Sequence, residues 1–332
     1  MRVAVIGGGS WGTTFASLRC GNGPTVLWTR RPALAEEVTS RHTNGDYLPG
    51  IVLPEALRAT ASLAEAVAGV DAVAVAVPSQ RFRAVLGALT PHLPPGVPVV
   101  SLAKGLEQGT RRRMTEVIAE VAPGHPVGVL TGPNLAAEIV IGRPAASVLA
   151  MTDDALVAEL QLAFTTEFFR VYTNDDVTGC EVAGALKNVI AIAAGMADGM
   201  SLGDNARAAI VTRGLAELTR LAVALGGDAP TCAGLAGLGD LVATCSSEKS
   251  RNHQLGVALG RGRDLDEVVA ATRTVAEGVR SAPVVCELGA ELGVEVPIAE
   301  QTAAVCSGRS SAEDALAALM HRPPRPELHG FA

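Results

Sequence analysis

The chain has 332 residues, long for one hydrophobic core, so two domains are the default expectation. Hydrophobic residues make up 48% but aromatics only 3%, so the cores must be built from Ala, Val and Leu through close packing of small side chains. A net charge of -7 and a pI near 5.5, with no run of like charges, argue against nucleic acid or an anionic membrane as the main partner; an anionic small substrate would need a local basic pocket.

Cys20, Cys180, Cys232, Cys245, Cys286 and Cys306 are scattered without a CxxC pair, which predicts free thiols in a reducing compartment rather than a zinc site or a disulfide framework. The histidines show no HExxH or comparable spacing, so a metal-free site is expected. The start, MRVAVIGGG, is strand-like at once with no basic leader before a cleavage site, so no signal peptide and a cytoplasmic location are expected.

Residues 2 to 6 predict a short apolar strand running into Gly7-Gly8-Gly9-Ser10-Trp11-Gly12 and a helix through Thr13 to Leu18. Gly7, Gly9 and Gly12 form GxGxxG: the first glycine permits the tight turn, the second lets a pyrophosphate approach the backbone, and the third lets helix pack on strand. A second strand, Thr25 to Trp28, follows at the distance that closes a βαβ unit. Gly8, Ser10 and Gly12 also spell GxSxG, the nucleophile elbow of some hydrolases, but no earlier strand exists to supply an oxyanion loop. At the end of the second strand, where an NAD site would place an acid, stand Arg30 and Arg31. Two guanidinium groups there suit a 2'-phosphate, so NADP is favoured over NAD; the alternative is that they open a surface helix.

Ser62 with Glu65 reads as a capping box. Val70 to Val77 and Val97 to Ala103 read as buried parallel strands, the second ending at Lys104-Gly105. Pro126 to Leu130 ends at Thr131-Gly132-Pro133-Asn134 before a helical stretch to Ile141. These polar tips fall at the carboxyl ends of strands, where open α/β sheets bind ligands, so Lys104, Gly132 and Asn134 become site candidates. Ala145 to Met151 and Phe168 to Tyr172 supply further strands around a helix from Asp153 to Phe164. After the helix-starting Asn174-Asp175-Asp176 the strand pattern stops, which puts the domain boundary near Val177.

From Glu181 to Asp198 the chain reads EVAGALKNVIAIAAGMAD, a helix apolar on every face with Lys187 as the one ionisable side chain between its two acids. The run is too short and too interrupted to span a bilayer, so it should be buried. Burying an ammonium without a partner costs several kcal/mol, so Lys187 needs a partner or a cavity holding water or ligand, unless it snorkels to the surface. Asn205 to Leu225 continues the helical half. Three polar clusters interrupt it: Asp240 in the glycine-rich Ala236 to Leu241, Ser250-Arg251-Asn252-His253, and Glu277 in Val275 to Gly278. Ser, Arg and Asn in succession at a helix start make an anion site suited to phosphate, although Ser250 could simply cap the helix. The tail after His321 is proline-rich and expected to be loose.

GGGSWGT at 7, KG at 104, GPN at 132, GALKNVIAIAAGMADG around Lys187, NAR at 205, AGLGDL at 236, SRN at 250 and EG at 277 together resemble the bacterial NAD(P)-dependent glycerol-3-phosphate dehydrogenases, in order and over nearly the whole chain. The resemblance implies an α/β Rossmann-type N-terminal domain with a mostly parallel sheet over residues 1–177, an all-α substrate domain over 178–322, and the tail 323–332. It implies interconversion of dihydroxyacetone phosphate and sn-glycerol 3-phosphate for phospholipid synthesis, with Lys187 as proton donor and acceptor. Lys104, Gly132, Asn134, Asp240, Ser250, Arg251 and Asn252 would join Lys187 on the substrate. Gly7, Gly9, Ser10, Trp11, Gly12, Arg30, Arg31, Lys104, Ala136, Arg251, Val275 and Glu277 would hold NADP or NAD. The family more often has Ser or Thr where this chain has Asn134, and GAG where it has Gly7-Gly8-Gly9.

Three rivals stand beside this reading: a reductase of the 3-hydroxyacid or ketopantoate type, a hydrolase using Ser10, and a nucleotide-sensing module without turnover. A carboxylate substrate does not need three phosphate donors, and binding alone does not need a buried lysine. Neither nucleic acid nor stable membrane insertion is expected; the sequence leaves the oligomeric state open, with a homodimer as the candidate assembly.

Overall fold

Strand β1 (Val3–Ile6) is apolar at every position because it is paired on both edges and covered on both faces. The computed structural model, which describes residues 1–271, 276–327 and 329–330, sets it among β2 (Thr25–Trp28), β3 (Arg58–Thr60), β4 (Ala72–Val75), β5 (Val99–Ser101), β6 (Val127–Thr131), β7 (Ala145–Ala150) and β8 (Phe169–Asn174). The order is β3-β2-β1-β4-β5-β6-β7-β8, and every neighbouring pair is parallel except β6 with β7. This is the mostly parallel Rossmann-type sheet, with its change of winding direction at β1 and β4, where such sheets bind ligands.

Alternate residues of β1 serve opposite faces. Val3 and Val5 join a core with Phe15 and Phe164, from helices Ser10–Cys20 and Asp154–Phe164. Ala4 and Ile6 join another with Phe82 and Ile118, from helices Ser79–Leu89 and Met114–Val121. The edge strand β3 escapes the sequence reading because Arg58 is exposed and Ala59 and Thr60 are half-buried, which leaves no apolar run. The capping box at Ser62 forms only by half: Ser62 Oγ accepts from the Glu65 N–H at 3.3 Å, but the Glu65 carboxylate takes the Thr60 hydroxyl at 2.6 Å.

The chain divides into two compact units, the first comprising Met1–Lys104 and Arg112–Val177, the second Gly105–Arg111 and the chain from Thr178 onward. A single boundary at Val177 therefore misses Gly105–Arg111. Leu106 in that segment is buried in one core with Val182, Leu186 and Leu218, and Arg111 pairs with Glu291 at 3.1 Å. In the tail, Arg325 pairs with Glu295 at 2.6 Å and Arg213 donates to the Glu327 carbonyl at 2.8 Å, so its described part is tied down rather than loose.

The second unit is helical and is built around the lysine helix, Val177–Gly199. At 23 residues this helix is long and apolar enough to cross a bilayer, contrary to the expectation from length. It meets protein instead: every residue from Gly179 to Ala197 is buried. Its upper part, through Val189, packs with Leu218, Leu221 and Val285, and its lower part, from Ile190, packs with Leu241, Leu255 and Ile298. The helix Arg251–Gly260 lies on it main chain against main chain. A Cβ on Gly256 would overlap the carbonyl oxygen of Ile192, and one on Gly195 would overlap that of His253. Gly199 and Gly260 repeat the arrangement one turn on, against Val257 and Met196. Gly278, in the helix Glu277–Leu292, approaches the Asn188 carbonyl so closely that a Cβ would sit 2.6 Å from its oxygen. The small-residue composition thus becomes close helix approach, which fixes where the polar side chains on these helices meet.

Candidate active site

In the first unit, Gly7 turns the chain after β1 with φ +128, a conformation that excludes a side chain, and a Cβ there would lie 2.6 Å from the Ala76 carbonyl oxygen. Gly12 presses on the Gly7 carbonyl, whereas a Cβ on Gly9 would meet nothing within 4 Å, so the backbone at Gly9 faces open space. The helix that starts at Ser10 has no acidic residue in its first turn, which leaves its positive N-terminal end available to an anion. Ser10 Oγ donates to the Tyr47 carbonyl at 3.1 Å. Trp11 packs between Phe15 and Phe169 at 5.9 and 6.0 Å, with its buried Nε1 lacking a partner among the described residues.

Beyond β2, Arg30 is exposed and makes no ion pair or hydrogen bond among the described residues. Arg31 pairs with Asp46 at 2.7 Å and lies over the Tyr47 ring at 5.9 Å. The loop carrying Asp46 and Tyr47 is absent from the sequence reading. Fully buried Asn44 anchors it by donating to the Gly8 carbonyl at 3.1 Å and to Thr13 Oγ1 at 2.8 Å. A polar Asn-Gly-Asp stretch reads as an ordinary turn, and no local pattern marks its tie to a glycine loop some 36 residues earlier.

At the other strand tips, Lys104 Nζ donates to the Gly132 carbonyl at 2.6 Å. Gly132, at φ +136, backs onto Ser147. Asn134 Nδ2 donates to Ser147 Oγ at 3.1 Å, while its buried Oδ1 has no partner among the described residues. Ala136 opens a short helix, and its carbonyl accepts from Thr14 Oγ1 at 3.4 Å, against the glycine-loop helix.

In the second unit, Lys187 is 6% exposed and does not snorkel. Its Nζ donates to Asp240 Oδ1 at 3.0 Å and to Thr244 Oγ1 at 2.7 Å, and Thr244 in turn donates to Asp240 Oδ1 at 3.2 Å. Asp240 and Thr244 lie one turn apart on the helix Asp240–Ser246 and so share a face. That i, i+4 spacing was the available signal for Thr244, which the sequence reading missed. The neighbouring Cys245 thiol is pushed up to about 12 by burial and is inert at neutral pH.

Asn188, next to the lysine, accepts from Asn252 Nδ2 at 2.8 Å, and Asn252 Oδ1 accepts from the Gly278 N–H at 3.0 Å. One side chain thereby fastens three helices. The Ser-Arg-Asn cluster does not converge on one point. Ser250 caps its helix by accepting from the His253 N–H at 3.3 Å, Asn252 turns inward, and only Arg251 is exposed. His253, the last member of that cluster, meets Asp198 at 2.8 Å, and Asp198 accepts from Arg207 at 3.2 Å. Glu277 is the first residue of its helix, and Val275 lies outside the described residues.

The geometry offers two devices: an anion-receiving glycine turn in one unit, and in the other a buried ammonium with one N–H unspent among the described residues, beside a network of amides. Comparison with known proteins gives the family. Residues 2–157 match the N-terminus of NAD-dependent glycerol-3-phosphate dehydrogenase, and residues 176–317 match its C-terminus. Glycerol-3-phosphate dehydrogenase [NAD(P)+] 2 of Sphingopyxis alaskensis is 52% identical over 329 residues, 99% of each chain. Glycerol-3-phosphate dehydrogenase [NAD(P)+] of Thermobifida fusca is 53% identical, again over 99% of each. A crystal structure of glycerol-3-phosphate dehydrogenase from Coxiella burnetii superposes with a TM-score of 0.93 at 36% identity, covering 97% of this chain and 99% of that one.

Proposed function

The chain belongs to the family of NAD(P)-dependent glycerol-3-phosphate dehydrogenases, and on that footing we propose that Lys187 is the proton donor and acceptor in a reversible conversion of dihydroxyacetone phosphate to sn-glycerol 3-phosphate. The enzyme is an oxidoreductase that uses NAD or NADP. The glycine turn fits such a dinucleotide: the open space before Gly9 admits a pyrophosphate, and no carboxylate in the first turn of the helix repels it. When bound, the reduced nicotinamide supplies a hydride to the ketone carbon.

The observation that carries the lysine assignment is its hydrogen-bond count. An ammonium has three N–H donors. Asp240 and Thr244 take two, and among the described residues nothing takes the third. That N–H is available to the carbonyl oxygen, which gains negative charge as the carbon is reduced and takes the proton to become the alcohol. A general acid so placed contributes about 10²- to 10⁴-fold, and its dry surroundings strengthen its pull on the developing charge.

We assign Asp240 and Thr244 the holding of the ammonium, and Lys104, Gly132, Asn134, Ser250, Arg251 and Asn252 contacts to the phosphorylated substrate, Ser250 through its hydroxyl hydrogen and Asn252 through the amide hydrogen that its bond to Asn188 leaves over. Arg251, exposed and forked, suits the phosphate, and binding that remote group holds the carbonyl in place. Ser10, Trp11, Arg30, Arg31, Ala136, Val275 and Glu277 are assigned to the cofactor, with NADP favoured. Supply of glycerol phosphate to phospholipid synthesis in the cytoplasm is the corresponding role. Loss of reduced-nicotinamide absorbance on adding dihydroxyacetone phosphate, followed for NADPH and NADH in parallel, tests the reading. The hydrolase alternative finds no support, since Ser10 Oγ is spent on a backbone carbonyl.

A further inference from the structure

We propose that Asp46 sets the balance between the two nicotinamide cofactors by occupying Arg31, so that Arg30 is the guanidinium that meets a 2'-phosphate. This rests on the reading that the glycine turn seats the dinucleotide.

The end of β2 is held beside that turn: a Cβ on Gly8 would lie 2.9 Å from Cβ of Thr29, the residue that precedes the two arginines. The loop that brings Asp46 is fixed to the same turn on both sides. Before it, Asn44 holds Gly8 and Thr13, and the Gly45 N–H donates to the Glu37 carboxylate at 2.7 Å. After it, the Tyr47 carbonyl accepts from Ser10 Oγ at 3.1 Å. Asp46 therefore has a defined position, and its carboxylate meets Arg31 at 2.7 Å while the Tyr47 ring backs the guanidinium. The Arg31 and Asp46 side chains keep 47% and 36% of their surface, so a solute can reach both.

A 2'-phosphate carries about -1.5 to -2 charges at neutral pH. At the Arg31–Asp46 pair it meets a neutralised guanidinium and a repelling carboxylate, so it gains little there and must pair with Arg30. A ribose 2'-hydroxyl has the opposite preference. It donates to a carboxylate, the role an acid at the end of the second strand fills in NAD sites. Here that acid comes from the following loop. One site thus carries a recognition element for each cofactor, and Asp46 holds NADPH affinity down while supporting NADH.

Fluorescence titration of the wild type, Asp46→Asn, Arg30→Met and Arg31→Met with NADPH and with NADH tests this, with 2',5'-ADP as competitor and melting temperature as a control for folding. Asp46→Asn is expected to raise the preference for NADPH over NADH about fivefold, the scale of a solvent-exposed ion pair, and to tighten 2',5'-ADP. Arg30→Met is expected to cost more NADPH affinity than Arg31→Met. An unchanged or lowered preference in Asp46→Asn, or a larger loss in Arg31→Met, overturns the proposal. A wild-type chain that binds neither cofactor removes the glycine-turn reading and the proposal with it, an outcome distinct from binding with an unmoved ratio.

Discussion

Lys187 Nζ lies 3.0 Å from Asp240 Oδ1, 53 positions along the chain, and the two side chains keep only 7% and 3% of their surface. Both charges are largely withdrawn from water, so each depends chiefly on the other. Removing one partner of such a pair costs about 3–5 kcal/mol, whereas replacing both with apolar groups of similar size is often neutral. Asp240→Ala should therefore lower unfolding free energy by about that amount in denaturant titration. The double variant Lys187→Met/Asp240→Leu should recover most of it, and a double variant as unstable as the single one would contradict the account.

Lys187→Ala separates chemistry from binding. Turnover of dihydroxyacetone phosphate should fall by about 10²- to 10⁴-fold, while NADPH affinity by fluorescence titration stays near the wild-type value. Near-normal turnover in this variant would end the assignment of Lys187 as the proton carrier.

Arg251 and Asn252 are neighbours with different duties. Arg251 is exposed, so Arg251→Ala should chiefly raise KM for the phosphorylated ketone and leave the melting temperature unchanged. Asn252 holds Asn188 and the Gly278 N–H, so Asn252→Ala strands two buried groups at about 1–3 kcal/mol each. It should depress melting temperature and kcat together. Steady-state kinetics beside thermal melts distinguish the pair, and an Asn252→Ala enzyme of full stability would refute the three-helix fastening.

Glu217 makes stability depend on pH. Burial raises its carboxyl to about 7 from an ordinary 4.5, outweighing the Ile298 and Ala299 N–H groups that favour the charged form. The folded chain thus holds the proton more tightly than the unfolded one. The resulting stabilisation is complete below pH 4.5 and is lost as pH rises through about 7. Its full extent is on the order of 3 kcal/mol, so urea unfolding should show a decline from about pH 4.5 to about pH 7 and little change above it. Glu217→Gln, which keeps an accepting oxygen for one of the two N–H groups and cannot ionise, should flatten that decline; an undiminished slope would show that another group sets it.

The legible parts of the sequence were those where local chemistry and long-range structure coincide. GxGxxG after an apolar strand announces its turn because Gly7 and Gly12 are required sterically wherever that turn occurs. Lys187 stood out because an ammonium in an apolar helix has no local explanation. Thr244, Asn44 and Asp46 were silent, since a Thr in a helix or an Asp after a turn is ordinary until folding brings its partner. The departure of Gly105–Arg111 into the helical unit was equally hidden, because Leu106 is a single apolar residue whose destination lies in another part of the chain.

Backbone-on-backbone seating at Gly195, Gly199, Gly256 and Gly260 leaves the strip between those two helices no adjustable parts. Whoever wishes to redirect this catalyst to a bulkier ketone cannot make room by trimming side chains along it, because none are there to trim. New selectivity must be sought at exposed positions such as Arg251, with the glycine seam left untouched.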